Sequence, residues 1–385
     1  MVRVAVHQDG RVTRVPVAII AREWLRIGCV GFGGPPAHIA LLRDLCVRRR
    51  EWVDEREFED SIAVTNLLPG PASTQLAILC AWRLGGVPGA LVGGACFILP
   101  GLVLILALAA LLLSTAAPAW VLGAAAGAGA AVPAVAAHAA ATLVRGSLRQ
   151  VGPVLSARVR WAAYLLVGGV AAAVTGPWLV LVLVAAGLVE VSVRAPLGRR
   201  SAVPLVLALP AVGGGLGAVA WVAAKVGALS YGGGFVIIPM MRQDAVHTYG
   251  WLSDERFLDA VALGQITPGP VVQTVAVVGY AAAGLGGGLL AALVAFAPSF
   301  AFVLVGGPRL DRLRANATAK AFLTGAGAAA IGAIGGSTLP LALSLHRPWQ
   351  FVVLGAAAVW LLLLRRGVVS ALVVSSVAGA LITLG

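Results

Sequence analysis

Charge is what this sequence has least of. Only 11% of its 385 residues are charged, against roughly a quarter in a soluble domain. Acids are the scarcest. Asp44, Glu51, Asp54, Glu55, Glu57, Glu59 and Asp60 lie in one stretch, and Asp244, Asp254, Glu255 and Asp259 in another. Only Asp9, Glu23, Glu190 and Asp311 remain, so no carboxylate pair is available inside an apolar segment for acid–base chemistry. Lysine is nearly missing, with Lys225 and Lys320 alone among 28 basic residues. The four cysteines, Cys29, Cys46, Cys80 and Cys96, form no CxxC pair and read as small buried hydrophobes. No HExxH, GxSxG or Walker motif occurs, so neither an enzyme nor a cofactor is expected. A cleavable leader is not expected either: residues 17–31 carry Arg22, Glu23 and Arg26, which its apolar region would not tolerate.

What is abundant is apolar sequence. Hydrophobic residues reach 60% and the mean hydropathy is +0.96. Residues 87–113 and 121–144 carry no charge and exceed the roughly 20 apolar residues a membrane span needs. The alternating pattern of a membrane barrel is absent. The fold class expected is an all-α polytopic membrane protein, with lipid as a partner and a second copy of the chain admitted as another. The net charge of +13 does not point to nucleic acid, because the arginines sit in short loops between apolar spans, where they set orientation.

The chain repeats itself. Phe32-Gly33-Gly34-Pro35, Trp52, Phe58, Asp60 and Pro69-Gly70-Pro71 recur as Tyr231-Gly232-Gly233-Gly234, Trp251, Phe257, Asp259 and Pro268-Gly269-Pro270, at a constant offset of 199 (251 − 52, 268 − 69). Two homologous halves follow, residues 1–200 and 201–385. Helix breakers at matching positions of two membrane halves point to a transporter's binding site. Each half reads as a first helix (17–32; 216–231), a short helix (37–47; 235–241), a span broken by Pro-Gly-Pro (61–84; 260–283) and plain spans beyond, with 145–160 as a basic linker. Arginine counting places 145–160, 194–200 and 308–320 in the cytoplasm. The first repeat loop has five arginines (43, 48, 49, 50, 56) and its twin two (242, 256). The two loops therefore belong on opposite faces, as in an inverted repeat. This tracing makes each Pro-Gly-Pro segment a re-entrant hairpin and asks residues 203–215 to supply an extra crossing.

Unpaired backbone at such breaks must be buried in protein or line a wet cavity. At Gly33, Gly34, Gly232 and Gly233, and at Pro69, Gly70, Pro71, Pro268, Gly269 and Pro270, backbone amides and helix N-termini could face an anion. Proline suits a first helical position, which puts Ser73, Thr74, Gln75 and Gln273 in first turns, with Asn66 and Gln265 just before the breaks. These side chains either bind an oxyanion or cap and glue helices. Arg26 and Lys225 are repeat mates, each seven residues before its glycine. They read as substrate cations, with snorkelling or an Arg26–Glu23 pair as the alternative. His38 could contact an anion or sense protons, but its mate is Ile237. Arg43 and Arg242 are mates at the ends of the short helices, as mouth cations or interfacial anchors.

Residues 28–39 (GCVGFGGPPAHI), Trp52, 65–75 (TNLLPGPASTQ) and 96–101 (CFILPG) resemble the chromate ion transporter family. Residues 230–239 (SYGGGFVIIP) and 266–273 (ITPGPVVQ) are similar to that family's second half. The resemblance implies a two-half transporter of the bacterial cytoplasmic membrane, exporting chromate by secondary active efflux and giving chromate resistance. One departure is Ala81-Trp82 where the second half has Gly279-Tyr280. A sulfate-like oxyanion has the same shape and charge, and a channel or transporter for such an ion is the alternative reading. A membrane-embedded enzyme would need a catalytic group that the chain lacks.

Overall fold

The computed structural model describes residues 14–66, 68, 70–174, 179–194, 214–230, 235–306 and 316–384, and among them all regular structure is helical. The first half contains α1 (Val17–Val30), α2 (Pro35–Arg43), α3 (Glu55–Thr65), α4 (Ala72–Leu112), α5 (Ala119–Val151), α6 (Leu155–Val174) and α7 (Leu179–Arg194). The second contains α8 (Leu216–Leu229), α9 (Ile237–Arg242), α10 (Asp254–Ile266), α11 (Thr274–Gly306), α12 (Ala317–Leu343), α13 (Pro348–Ala358) and α14 (Val368–Leu384). Helices α4, α5, α6, α11 and α12 are each long and apolar enough to cross a membrane. The expected linker at 145–160 is instead the end of α5 and the start of α6. Nothing breaks α5 before Gly152-Pro153, and arginines at helix ends can snorkel to the surface.

α4 and α11 each double back on themselves. Gly86 (φ 63°, ψ −152°) and Gly284 (φ 64°, ψ −156°) interrupt them in a conformation that favours glycine. Gly89 and Gly93 then pack back on Ala81, as Gly287 does on Gly279. The short arm of α4, residues 72–85, rises about 20 Å, less than the about 30 Å of a bilayer core. It is the outward limb of a re-entrant hairpin whose inward limb is α3. Arg83 near its end bonds Glu57 near the start of α3 (2.6 Å), with Gly70-Pro71 at the tip. α1 enters from the same end: the Val15 N–H donates to the Leu84 carbonyl and Trp24 Nε1 to the Ala77 carbonyl, both at 2.9 Å. α2 leads back, and Arg50 beyond it reaches Glu23 of α1.

The halves are inverted. The long arms of α4 and α11 are repeat mates, yet Gly94 faces Phe300 and Leu106 faces Gly288. Contacts that fall in one helix as they rise in the other make the two arms antiparallel. The second pair of hairpins therefore opens from the opposite end. The outer helices are exchanged between halves: α12 packs on α6 and α7, and its mate α5 packs on α13 and α14. Small residues allow this close approach. Gly123 and Gly127 meet Gly379, and Gly332 and Gly336 meet Leu165 and Gly169.

One end of the bundle gathers Arg83, Arg145, Arg149, Arg158, Arg160, Arg194, Lys320, Arg365 and Arg366, together with the first repeat loop, where Arg43, Arg48, Arg49, Arg50 and Arg56 stand among Asp44, Glu51, Asp54, Glu55, Glu57 and Glu59. The other mixes Arg242, Arg256 and Arg347 with Asp244, Asp254 and Glu255. Single cysteines at Arg49 and Tyr249 should therefore be labelled by an impermeant maleimide from opposite faces; labelling of both from one face would contradict the inversion. The extra crossing assigned to residues 203–215 falls, but for Gly214 and Gly215, outside the described residues.

Candidate functional site

The breaks at Gly70 and Gly269 become hairpin tips, and each tip docks on the other half. At the second tip, the Gly269 N–H donates to the Gly31 carbonyl at the end of α1 (2.9 Å). Gln273 Nε2 donates to the Ile98 carbonyl in the long arm of α4 (2.8 Å). At the first tip, Gly70 lies beside the Gln75 side chain, the Ser299 hydroxyl of α11 and the Gly227 carbonyl of α8. Gly70 and Gly269 have φ of 117° and 102°, so both tips need the left-handed freedom of glycine.

His38 joins the two tips. It is fully buried, with Nε2 2.9 Å from the Gly31 carbonyl and Nδ1 3.3 Å from Ser73 Oγ. A carbonyl can only accept, so Nε2 carries the proton and Nδ1 accepts from the Ser73 hydroxyl. The chain Ser73–His38–Gly31–Gly269 thus runs from the first Pro-Gly-Pro helix to the second tip. Around it, Thr74 Oγ1, Ser230 Oγ, Gln265 Nε2, Gln273 Oε1 and Ser299 Oγ are buried without a hydrogen-bond partner. Orphaned buried polar atoms are uncommon and call for an explanation.

Three expectations are corrected in detail. Pro71 is the residue before α4, not its first helical residue, and its carbonyl takes the amides of Thr74 and Gln75. Gln273 lies in a 3₁₀ turn, Val271–Gln273, that precedes α11. The Gly269 amide is spent on a helix end, so it does not face an open site.

The two cations are not where their spacing suggested. α1 stops at Val30 and α8 at Leu229, so neither helix carries its cation and its glycine on one continuous face. Arg26 is exposed beside Leu25 and Cys29 and makes no ion pair among the described residues; Glu23 takes Arg50 instead. Lys225 does have an acid. The turn after α9 brings Asp244 to 2.6 Å of Nζ, and the ammonium lies 5.4 Å from the Trp221 ring. Arg43 pairs with Glu55 and Glu59, and Arg242 with Asp254, which makes both of them braces. Pro69, Gly232 and Gly233 lie outside the described residues, while Gly33 (φ 97°) and Gly34 (φ 71°) form the turn into α2.

A cavity of about 580 Å³ opens at the basic end and reaches the first tip. Thr65, Asn66 and Gly70 line its inner side, and Arg194, Lys320 and Thr324 its outer side. Its counterpart at the far end, between α5, α10 and α13, holds only about 130 Å³. Repeat mates differ accordingly: Asn66 is exposed, whereas Gln265 is buried. Sequence reasoning counted Arg194 and Lys320 only as orientation charges of the segments 194–200 and 308–320 and gave Thr324 no role; the structure places all three on helices, α7 and α12. Sequence reasoning also missed Gly101 and Ser299, although Pro100-Gly101 and Pro298-Ser299 repeat at an offset of 198 and mark where the long arms receive the tips.

Several named proteins are similar over most of the chain. The chromate transport protein of Cupriavidus metallidurans is 32% identical over 335 residues, 83% of this chain and 81% of its own. A probable chromate transport protein of Synechococcus elongatus is 30% identical, with 84% of each chain covered. The chromate transport protein of Pseudomonas aeruginosa is 31% identical, covering 83% of this chain and 80% of its own. No solved structure matches. The Chromate transporter family matches residues 18–191 and again 217–384, and the chain, a multi-pass protein of the bacterial cell membrane, belongs to that family.

Proposed function

We propose that the protein exports chromate by secondary active transport, with residues 1–200 and 201–385 working as two inverted halves around the docked tips, and thereby confers chromate resistance. The observation that carries this reading is the unequal state of repeat mates. A cavity open at one end and its counterpart collapsed at the other is what one state of an alternating-access carrier presents. The basic end belongs in the cytoplasm, so the open cavity faces the side from which an exported anion is taken. The Thr74 and Ser299 hydroxyls and the Gln265 amide N–H, buried around the tips without a partner, are the donors that a tetrahedral dianion needs once dehydrated. The relatives named as chromate transport proteins support chromate as the ion; sulfate, equal in shape and charge, is the second reading.

The test is flux of radiolabelled chromate and sulfate in everted membrane vesicles, with and without an uncoupler. Uncoupler-sensitive chromate accumulation is expected, with the apparent affinity falling about tenfold in Thr74→Ala, the loss of one buried hydrogen bond to a charged ligand. Flux that ignores the uncoupler would indicate a passive channel, and preferential sulfate accumulation would replace the substrate.

A further inference from the structure

The cavity at the basic end holds more than an access route requires. We propose that it is itself a binding site, a loading station where a tetrahedral oxyanion is held with its hydration water before it reaches the tips; this rests on the oxyanion-transport reading above. Three observations support it. The first is charge. Arg160 and Arg194 share one carboxylate, Glu190 (3.0 and 2.5 Å), to which the Tyr164 hydroxyl also donates (3.0 Å). Two guanidiniums on one acid leave one positive charge over. Lys320, which makes no ion pair among the described residues, adds a second. Among the described residues, Arg194 and Lys320 are the cations that line the cavity, and Arg194 shares its carboxylate with Arg160.

The second observation is the lining. Beside Arg194 and Lys320 stand Thr65, Asn66, Thr142, Ser147 and Thr324, and among the described residues no carboxylate lines the cavity. The third is size. Water occupies about 30 Å³ per molecule, so about 580 Å³ accommodates an oxyanion with much of its first shell. Stripping a dianion of water in one step is expensive. A wet cationic station ahead of a drier one divides that cost, and it raises the local concentration of the anion.

The same chemistry would accept a lipid phosphate, and the experiment separates the two. A single cysteine is placed at Thr324 after Cys29, Cys46, Cys80 and Cys96 are replaced. Its alkylation by N-ethylmaleimide is timed in phosphatidylcholine nanodiscs, with sulfate or chromate titrated against chloride at equal ionic strength. Sulfate is expected to slow labelling. Lys320→Gln should raise the half-protecting concentration about tenfold, the effect of one charged hydrogen bond, and Lys320→Arg should restore it. Protection should survive in Pro268→Ala even where flux is lost, because the second tip does not line this cavity. Absence of protection in a protein that still carries chromate would overturn the station and leave transport standing. So would protection by phosphatidylglycerol without added sulfate. A wild-type protein showing neither flux nor protection would remove both readings.

Discussion

Gly101→Ala is expected to reduce chromate flux to the level of membranes without the protein. Gly101 follows Pro100 in the long arm of α4, where the second tip is pressed against it. A Cβ here would overlap the Pro268 carbonyl oxygen and stand 2.5 Å from Gln273 Oε1. Neither neighbour has slack, since the next residue of the tip, Gly269, is bonded to Gly31, and Gln273 is bonded to Ile98. Overpacking of this kind costs about 1–3 kcal/mol, and the tip must shift to relieve it. A displacement of about 1 Å is enough to spoil the geometry of a functional site. Alanine is the better helix former, so loss of flux cannot be ascribed to a weakened helix. Gly286→Ala, where a Cβ meets nothing within 4 Å, is the control and should transport normally. Vesicle flux normalised to the amount of inserted protein decides the matter; wild-type flux in Gly101→Ala would mean that the tip is not part of the transport machinery.

The architecture was readable because glycine and proline record it. The offset of 199 between the Pro-Gly-Pro motifs announced the repeat. The arginine imbalance between the two repeat loops announced the inversion, and the antiparallel long arms of α4 and α11 agree with it. The cavity was not readable. Its outer wall comes from α5, α7 and α12, plain spans without a motif, assembled by an exchange of helices between halves that no local periodicity encodes. The glycines that permit the exchange, Gly123 and Gly127 on one side and Gly332 and Gly336 on the other, were visible but unassigned. The partner of Lys225 was unreadable for a related reason. That partner, Asp244, is distant in sequence and is returned to the lysine by the turn after α9, whereas the corresponding position in the first half is Leu45. The repeat therefore preserves backbone breaks more faithfully than charges.

Oxidation of paired cysteines at Gly129 and Leu258 is expected to stop transport completely, with recovery on reduction. At the far end α10 packs on α5 so closely that a Cβ on Gly129 would lie 3.3 Å from the Cβ of Leu258, near the 3.5–4.5 Å or so of a disulfide. The cross-link should form readily and hold that end shut, with Thr324→Cys at the open end still reactive. The repeat mates are Glu59 (258 − 199) and Gly327 (327 − 129 = 198). They lie on α3 and α12, between which the cavity stands, and Gly327 lines it. If the halves exchange roles, α3 must come onto α12 as α10 now lies on α5, which brings Glu59 to Gly327. Cysteines at these two positions should cross-link only during turnover, at a rate raised by chromate, and the linked protein should lose the Thr324→Cys reactivity. Both experiments use a background without the four native cysteines. Alternating access between these two packings would be refuted if the Gly129–Leu258 cross-link left flux intact, or if the Glu59–Gly327 pair never formed in a protein that transports.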